Sequence, residues 1–215
     1  MKKLIVAMAA LLGLSIGGVA NAATIDLFEW AYNQDGTTTS GAPFSGLGTK
    51  TFTVSGTGAH NFIAFFDHEI DEGVNTFFNE LGVVNGVPLA GQSWEIDEPG
   101  FVFGDIYTNF TAGALDNSNA IAATPDDVSM AMGWNFNLLA GETATLSFLL
   151  SELTPTGGFY LQQLDPDSQA SIFFSSTLKI GDGGPPAVPE PSTMLLLGAG
   201  LAGLGFYNRR RRNKL

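Results

Sequence analysis

Alternation of apolar and polar residues with a period of two constrains the fold of this chain more than any other feature. In residues 170–180 the side chains of Ile172 and Phe174 fall on one face, and the other face is mostly serine, threonine and lysine. Residues 143–150 alternate in the same way, with Phe148 on the apolar face. Successive side chains of a strand point to opposite sides, so both segments are predicted to be strands with one buried face.

Shorter alternating segments extend this pattern over most of the chain. The link Leu139–Glu142 is predicted to be a short hairpin turn in which Gly141 takes positive φ, and Asn85-Gly86 is predicted to be a tight turn. Further strands are predicted at Ile25–Trp30, Thr51–Val54, Phe62–Phe66, Trp94–Ile96, Phe101–Tyr107 and Trp134–Leu138.

One segment departs from the period of two. Across residues 71–82 the apolar residues Val74, Phe77, Phe78 and Leu81 have the spacing of a helical stripe. We therefore predict a mainly β fold, an antiparallel β-sandwich of jelly-roll-like type with one short inserted helix.

The composition limits both the means of stabilisation and the partners. The chain has no cysteine and 17 phenylalanines, so packing rather than disulfides must hold the fold together. Between Ala23 and Ala187 there are two lysines and twenty acidic residues, so the net charge of this part is −18. Such a surface repels phosphate, which argues against nucleic acid as a partner and favours divalent cations.

The first 22 residues have the three parts of a secretory signal peptide. Lys2 and Lys3 give a basic start, Leu4–Val19 is apolar, and Ala20 and Ala22 occupy the positions that signal peptidase recognises. We predict cleavage after Ala22; the alternative is an uncleaved N-terminal membrane helix.

The last part of the sequence resembles a membrane anchor whose apolar run is short for crossing a bilayer. A Gly/Pro linker at 181–188 precedes Pro189, Glu190, Pro191 and Ser192, then a transmembrane helix predicted at 192–208, then the four basic residues Arg209, Arg210, Arg211 and Arg212. The basic cluster stops transfer and stays in the cytoplasm, so the domain at 23–180 is expected outside a transient single-pass anchor.

The order of Pro-Glu-Pro, short apolar span and arginine cluster resembles the PEP-CTERM sorting signal of exported proteins in Gram-negative bacteria that make exopolysaccharide. The resemblance covers roughly residues 188–212 and makes 189–215 a sorting signal. It implies processing by a membrane-embedded exosortase-like enzyme and delivery to the cell surface or the extracellular space. An ordinary permanent anchor is the alternative.

The densest group of acidic residues gives the main candidate ligand site, for calcium or as an edge that contacts carbohydrate. Asp67, Glu69, Asp71 and Glu72 offer carboxylate oxygens of the kind that calcium prefers, and no other cofactor is predicted. The alternative is a solvated strand end that leads into the predicted helix.

Other motifs give weaker indications. His60 and His68 lie eight residues apart, too far along one strand to share a zinc ion, and His68 is expected at the surface. The segment Asp165–Gln169 departs from a calcium loop and is predicted to be a turn.

These features predict a non-enzymatic cell-surface or extracellular-matrix protein with a structural, adhesive or polysaccharide-associated role. The alternative is a secreted carbohydrate-active enzyme of sandwich fold. A concave surface with facing carboxylates and aromatic side chains would favour the enzyme, and a flat acidic surface would favour the structural role.

Overall fold

The computed structural model describes residues 23–40, 46–73, 76, 78–100 and 102–182. Within these residues the chain forms ten strands and one helix. They are β1 (Ile25–Gln34), β2 (Thr37–Ser40), β3 (Gly48–Ser55), β4 (Gly58–Ile70), β5 (Leu81–Asn85), β6 (Gln92–Asp97), α1 (Ile106–Ala112), β7 (Ser129–Leu138), β8 (Glu142–Ser151), β9 (Tyr160–Leu164) and β10 (Ser171–Asp182).

The strands form two antiparallel sheets of five. The first sheet has the order β2-β1-β4-β7-β6, and the second has the order β3-β8-β10-β9-β5. The chain passes repeatedly from one sheet to the other, so strands adjacent in sequence often lie in different sheets. The predicted mainly antiparallel β architecture with one short helix is confirmed.

The main core lies between the two sheets. Phe62 and Phe66 of β4 point toward the second sheet, where the ring of Phe62 lies 5.8 Å from that of Phe148 and the ring of Phe66 lies 5.1 Å from that of Phe174. These aromatic contacts replace the disulfides that the chain lacks.

A second, smaller core covers the outer face of the first sheet. Ile63 and Phe65, which alternate with the main-core residues of β4, pack against Ile106 and Phe110 of α1. Since β4 is buried on both faces, its middle is a continuous apolar run, and only this run, Phe62–Phe66, was predicted as a strand.

The predicted helix at 71–82 is wrong in position. Among the described residues of this segment, Asp71–Gly73 form a turn, and Leu81 and Gly82 belong to β5, where they pair with β9. Backbone pairing with β9 outweighs the helical spacing of the apolar residues, because the sheet satisfies the amide and carbonyl groups of the strand.

The helix forms instead at Ile106–Ala112, and the strand predicted at Phe101–Tyr107 is wrong over its described residues. Gly100 and Gly104 have φ of 89° and 77°, which interrupts an extended backbone before α1 begins. Ile106 and Phe110, one helical turn apart, then face the second core, and Gly113 ends the helix in the left-handed region.

The link Leu139–Glu142 is tight, as predicted, but it is not a hairpin. Gly141 has the expected positive φ of 87°, and the amide of Glu142 donates to the carbonyl of Leu139 at 3.1 Å. The turn nevertheless joins β7 of the first sheet to β8 of the second, and these strands do not pair with each other. Gly86 also has positive φ, 82°, in the connection from β5 to β6.

Several sequence predictions lie outside the described residues. They are the signal peptide with Ala20 and Ala22, the sorting motif at 189–192, the transmembrane helix at 192–208 and the cluster at 209–212. Strand β10 runs to Asp182, two residues beyond the predicted domain boundary at 180. In the part of the chain that the structure describes, none of the helices has the length and apolar character needed to cross a membrane.

Candidate functional site

Sheet register places acidic side chains in a row across the outer face of the first sheet. Glu29 of β1 lies opposite Asp67 of β4, Asp67 lies opposite Ser129 of β7, and Ser129 lies opposite Asp97 of β6. These residues continue the face that carries Phe65, beyond the part that α1 covers. The row forms because cross-strand partners in an antiparallel sheet point to the same side.

Three carboxylates converge at the end of β4. Oxygen atoms of Asp67, Glu69 and Asp127 all lie within 4.8 Å of one another. The side chains of Asp67 and Glu69 are only 1% and 8% exposed. Such close, buried acidic groups repel each other unless they bind protons or a cation.

The hydrogen bonds of this cluster are incomplete. The hydroxyl of Ser129 donates to Oδ1 of Asp67 at 3.0 Å. Among the residues that the structure describes, Oε2 of Glu69 and Oδ1 of Asp127 are buried without a hydrogen-bond partner. Buried polar atoms in folded proteins are nearly always satisfied, so these two carboxylate oxygens are available to a proton or a ligand.

The cluster forms part of the wall of a cavity of about 360 Å³. Glu72 and Glu98 add two further carboxylates to the lining, and the described lining residues include no lysine, arginine or histidine. The remaining lining residues are apolar and form a rim: Phe28, Phe78, Pro99, Val102 and Phe103.

The aromatic side chains of the rim are unusually accessible. Phe28, Phe78 and Phe103 are 67%, 55% and 66% exposed, and they are the exposed phenylalanines of the described residues. Phe28 is the extra residue of a β-bulge, since Leu27 pairs with His68 and Glu29 pairs with Asp67. Bulges re-aim side chains, and this one places a phenylalanine at the mouth of the cavity.

The three clustered carboxylates have raised pKa values, which favours their protonated forms. Burial, followed by repulsion from Asp127, raises the pKa of Asp67 to about 8. The same two causes raise the pKa of Glu69 to about 7. Burial and repulsion from Asp126 and Glu98 raise the pKa of Asp127 to about 6. A bound cation would reverse these shifts by favouring the charged forms.

The structure separates the four predicted calcium ligands. Asp67 and Glu69 lie in the cluster, and Glu72 lines the same cavity. Asp71 turns away with φ of 56° at the end of β4, and its Oδ1 accepts a hydrogen bond from the amide of Thr24 at 2.6 Å. It therefore ties the start of the domain to β4.

Sequence reasoning missed Asp127 and the aromatic rim. Asp127 is 60 residues from Asp67 in the chain, and only the pairing of β4 with β7 brings the two together. The adjacent acids Asp126-Asp127 were the available signal, but they lie several residues before the strand predicted at Trp134–Leu138, so their position at the edge of the sheet could not be predicted.

A second group of three acids has a structural role. Oxygens of Glu95, Asp97 and Asp105 also lie within 4.8 Å of one another. Here Asn109 and the amide of Asp116 donate to Glu95 at 2.9 and 3.1 Å, and the amide of Asp105 donates to Asp97 at 2.7 Å. These bonds fix α1 and its flanking loops on the sheet.

The two histidines lie apart, as predicted, but His68 is buried rather than at the surface. Its Nε2 lies 2.9 Å from the carbonyl of Gly46, and since a carbonyl only accepts, Nε2 carries the proton. Burial lowers the pKa of His68 to about 4, so the ring is neutral. His60 forms an ion pair with Asp35 at 2.9 Å near the β1–β2 turn.

The segment Asp165–Gln169 is a turn, as predicted. Its first carboxylate accepts hydrogen bonds from the amide of Asp167 at 2.8 Å and from the hydroxyl of Ser168 at 2.6 Å. The Asp165 oxygens are thus engaged within the turn itself.

Comparison with known proteins bears on the C-terminal part of the sequence. Residues 187–212 match the family model of the PEP-CTERM protein-sorting motif. No curated protein and no solved structure matches the chain. The motif indicates a secreted protein that is targeted to and processed by an exosortase-type enzyme, with a cell-surface or extracellular destination. The chain thus carries a PEP-CTERM protein-sorting motif, and this match supports its assignment as a PEP-CTERM protein.

Proposed function

We propose that this protein is exported through a transient membrane-anchored intermediate, is processed near Pro189-Glu190-Pro191, and acts at the cell surface or in the extracellular matrix. Its sandwich is a non-enzymatic domain with a structural or adhesive role in association with exopolysaccharide, and its acidic cavity binds one calcium ion. The observation that carries the binding site is the buried and unpartnered Oε2 of Glu69 among three converging carboxylates.

Calcium fits the chemistry of this cluster better than other cations. It takes six to eight oxygen ligands at roughly 2.3–2.6 Å, and Asp67, Glu69 and Asp127 supply hard carboxylate oxygens without nitrogen or sulfur donors. Extracellular modules bind calcium with dissociation constants of about 10⁻⁴–10⁻³ M. A site that is partly protonated when empty therefore needs only this weak affinity to bind calcium outside the cell.

Calcium is expected to raise the melting temperature of the full-length chain near neutral pH, relative to the same protein in chelator. Saturation at about 100 times the dissociation constant adds about 2.7 kcal/mol, which corresponds to a shift of roughly 5–10 °C for a chain of this size. Asp127→Asn is expected to remove most of this shift, because it removes one ligand of the ion.

The matched control is Asp182→Asn, which replaces an exposed carboxylate on β10 that does not line the cavity. It is expected to keep the full calcium shift. Identical melts of the wild type with calcium and with chelator would contradict the site.

Processing at both ends is expected to show in the intact mass of protein released from cells. The mature chain should begin at Ala23 and should lack Arg209–Arg212. Substitution Glu190→Ala, within the sorting motif, is expected to keep the arginines on a membrane-bound species. Released protein that retains the four arginines would show that the tail is an ordinary anchor.

One observation favours the enzyme as a second candidate, since the cavity combines carboxylates with aromatic side chains. The spacing favours the cation site. One oxygen from each of the three side chains lies within 4.8 Å of the other two, a spacing at which all three can contact one calcium ion. Release of new reducing ends from a polysaccharide by the wild type, and not by Asp67→Asn, would establish the enzyme instead.

A further inference from the structure

The cavity is larger than a calcium ion needs. Its volume of about 360 Å³ lies in the range of small-molecule sites, which begins near 300 Å³. A second hollow of about 390 Å³ adjoins it, shares Phe78, Glu98 and Phe103 with it, and is further lined by Pro125 and Asp126. Together the two hollows form a cleft with aromatic side chains at the point where they meet.

The carboxylates alone do not complete the coordination of calcium. The three side chains have six oxygens, and Oδ1 of Asp67 already accepts a hydrogen bond from Ser129. The two clustered residues of β4, Asp67 and Glu69, approach from one face of the sheet, so a bound ion would have open positions on the cavity side. Calcium fills such positions with water or with oxygen atoms of a ligand.

The exposed apolar side chains of the rim favour a ligand that has an apolar surface of its own. Three phenylalanines and Val102, which is 81% exposed, surround the mouth of the cavity. Exposed apolar patches of this kind mark binding sites, because leaving them in water is unfavourable. A ligand for this site must therefore present oxygen atoms to the ion and carbon-bound hydrogens to aromatic rings.

We propose that the cleft binds a polysaccharide through calcium, with two adjacent oxygens of one sugar ring completing the coordination of the ion and the faces of the rings packing on Phe28, Phe78 and Phe103. Pyranose rings have this combination, since their hydroxyl or carboxylate oxygens project from the edge and their C–H groups cover the faces. The inference rests on the proposed calcium site and names the ligand of that site.

The calcium bridge also explains how an acidic surface tolerates an acidic polymer. Five carboxylates line the first hollow, and without a cation they would repel a uronate. Adjacent oxygens can come from the hydroxyls of a neutral hexose or from a uronate, and the two sources are distinguished by probes of each kind.

The test is isothermal titration calorimetry of the full-length chain with a mannose oligosaccharide and, separately, with an oligouronate, each with calcium and with chelator. At least one probe is expected to bind only when calcium is present. Phe28→Ala and Phe103→Ala are expected to weaken that binding by about tenfold or more, while they keep the calcium-induced rise in melting temperature.

The matched control is Leu153→Ala, which removes an apolar side chain that is 80% exposed and lies outside the cleft. It is expected to bind both calcium and sugar like the wild type. Three results would overturn the inference and leave the calcium site intact. The first is a calcium-induced rise in melting temperature without any sugar binding. The others are sugar binding that persists in chelator, and sugar binding of wild-type strength by both rim variants. No calcium shift in the wild type would overturn both proposals.

Discussion

Replacement of Asp67 by asparagine is expected to stabilise the calcium-free protein at about pH 8. Burial and repulsion from Asp127 raise the pKa of Asp67 from its ordinary value near 4 to about 8. Between these values the native state holds a proton that the unfolded state has released, so stability falls as the pH rises through this window. Asparagine removes that cost and keeps an oxygen that can accept from Ser129.

The expected gain in the free energy of unfolding is on the order of a few kcal/mol at about pH 8, and it should disappear near pH 4. Urea unfolding in chelator at the two pH values measures it. Asp182→Asn serves as the control and is expected to change stability little at either pH. A loss of stability at pH 8, or an equal gain at both pH values, would show that the cavity does not raise the pKa of Asp67.

Phe62→Ala is expected to lower the free energy of unfolding by about 3–5 kcal/mol. The ring of Phe62 is fully buried between the sheets and lies 5.5 Å from that of Tyr32 and 4.7 Å from that of Phe52, in addition to Phe148. Its removal leaves a cavity in a core that no disulfide supports. Chemical denaturation of the full-length chain measures the loss.

The same substitution at an exposed site is the control. Phe103→Ala removes a ring that is 66% exposed and is expected to change the free energy of unfolding by no more than about 0.5 kcal/mol in the absence of ligands. Similar losses for the two variants would mean that the sheets do not pack through Phe62.

The strands could be predicted from sequence where one face is polar. The alternation in residues 143–150 and 170–180 located β8 and β10 closely. Strand β4 is buried on both faces, so the alternation that should mark its ends is absent, and only its apolar middle was found. The pairing of each strand depends on contacts between distant segments and could not be derived from local periodicity.

For the helix, a clear local pattern led to a wrong prediction. The spacing of Val74, Phe77, Phe78 and Leu81 favours a helix, but Leu81 pairs with Leu164 of β9, and Glu80 is buried with its Oε1 accepting from the amide of Ile70 at 3.0 Å. These long-range bonds outweigh local propensity. Helix α1 is short, and packing of Phe110 on the sheet rather than a strong local signal explains its position.

Only those residues of the candidate site that lie close together in the sequence could be predicted. Asp67 and Glu69 stand out in the sequence because acidic residues are dense there. Asp127 joins them through the register of β4 with β7, and Phe28 reaches the rim through a bulge. The sequence also does not distinguish Asp71, whose carboxylate bonds to Thr24, from the neighbours that face the cavity.

The most direct test of the calcium site is equilibrium dialysis of the full-length chain against radioactive calcium, together with the double variant Asp67→Asn/Glu69→Gln. We predict saturable binding of one ion per wild-type chain with a dissociation constant of about 10⁻³ M or lower, and loss of that binding in the double variant. Absence of saturable binding by the wild type, or equal stoichiometry in the variant, would contradict the assignment of the cavity as a calcium site.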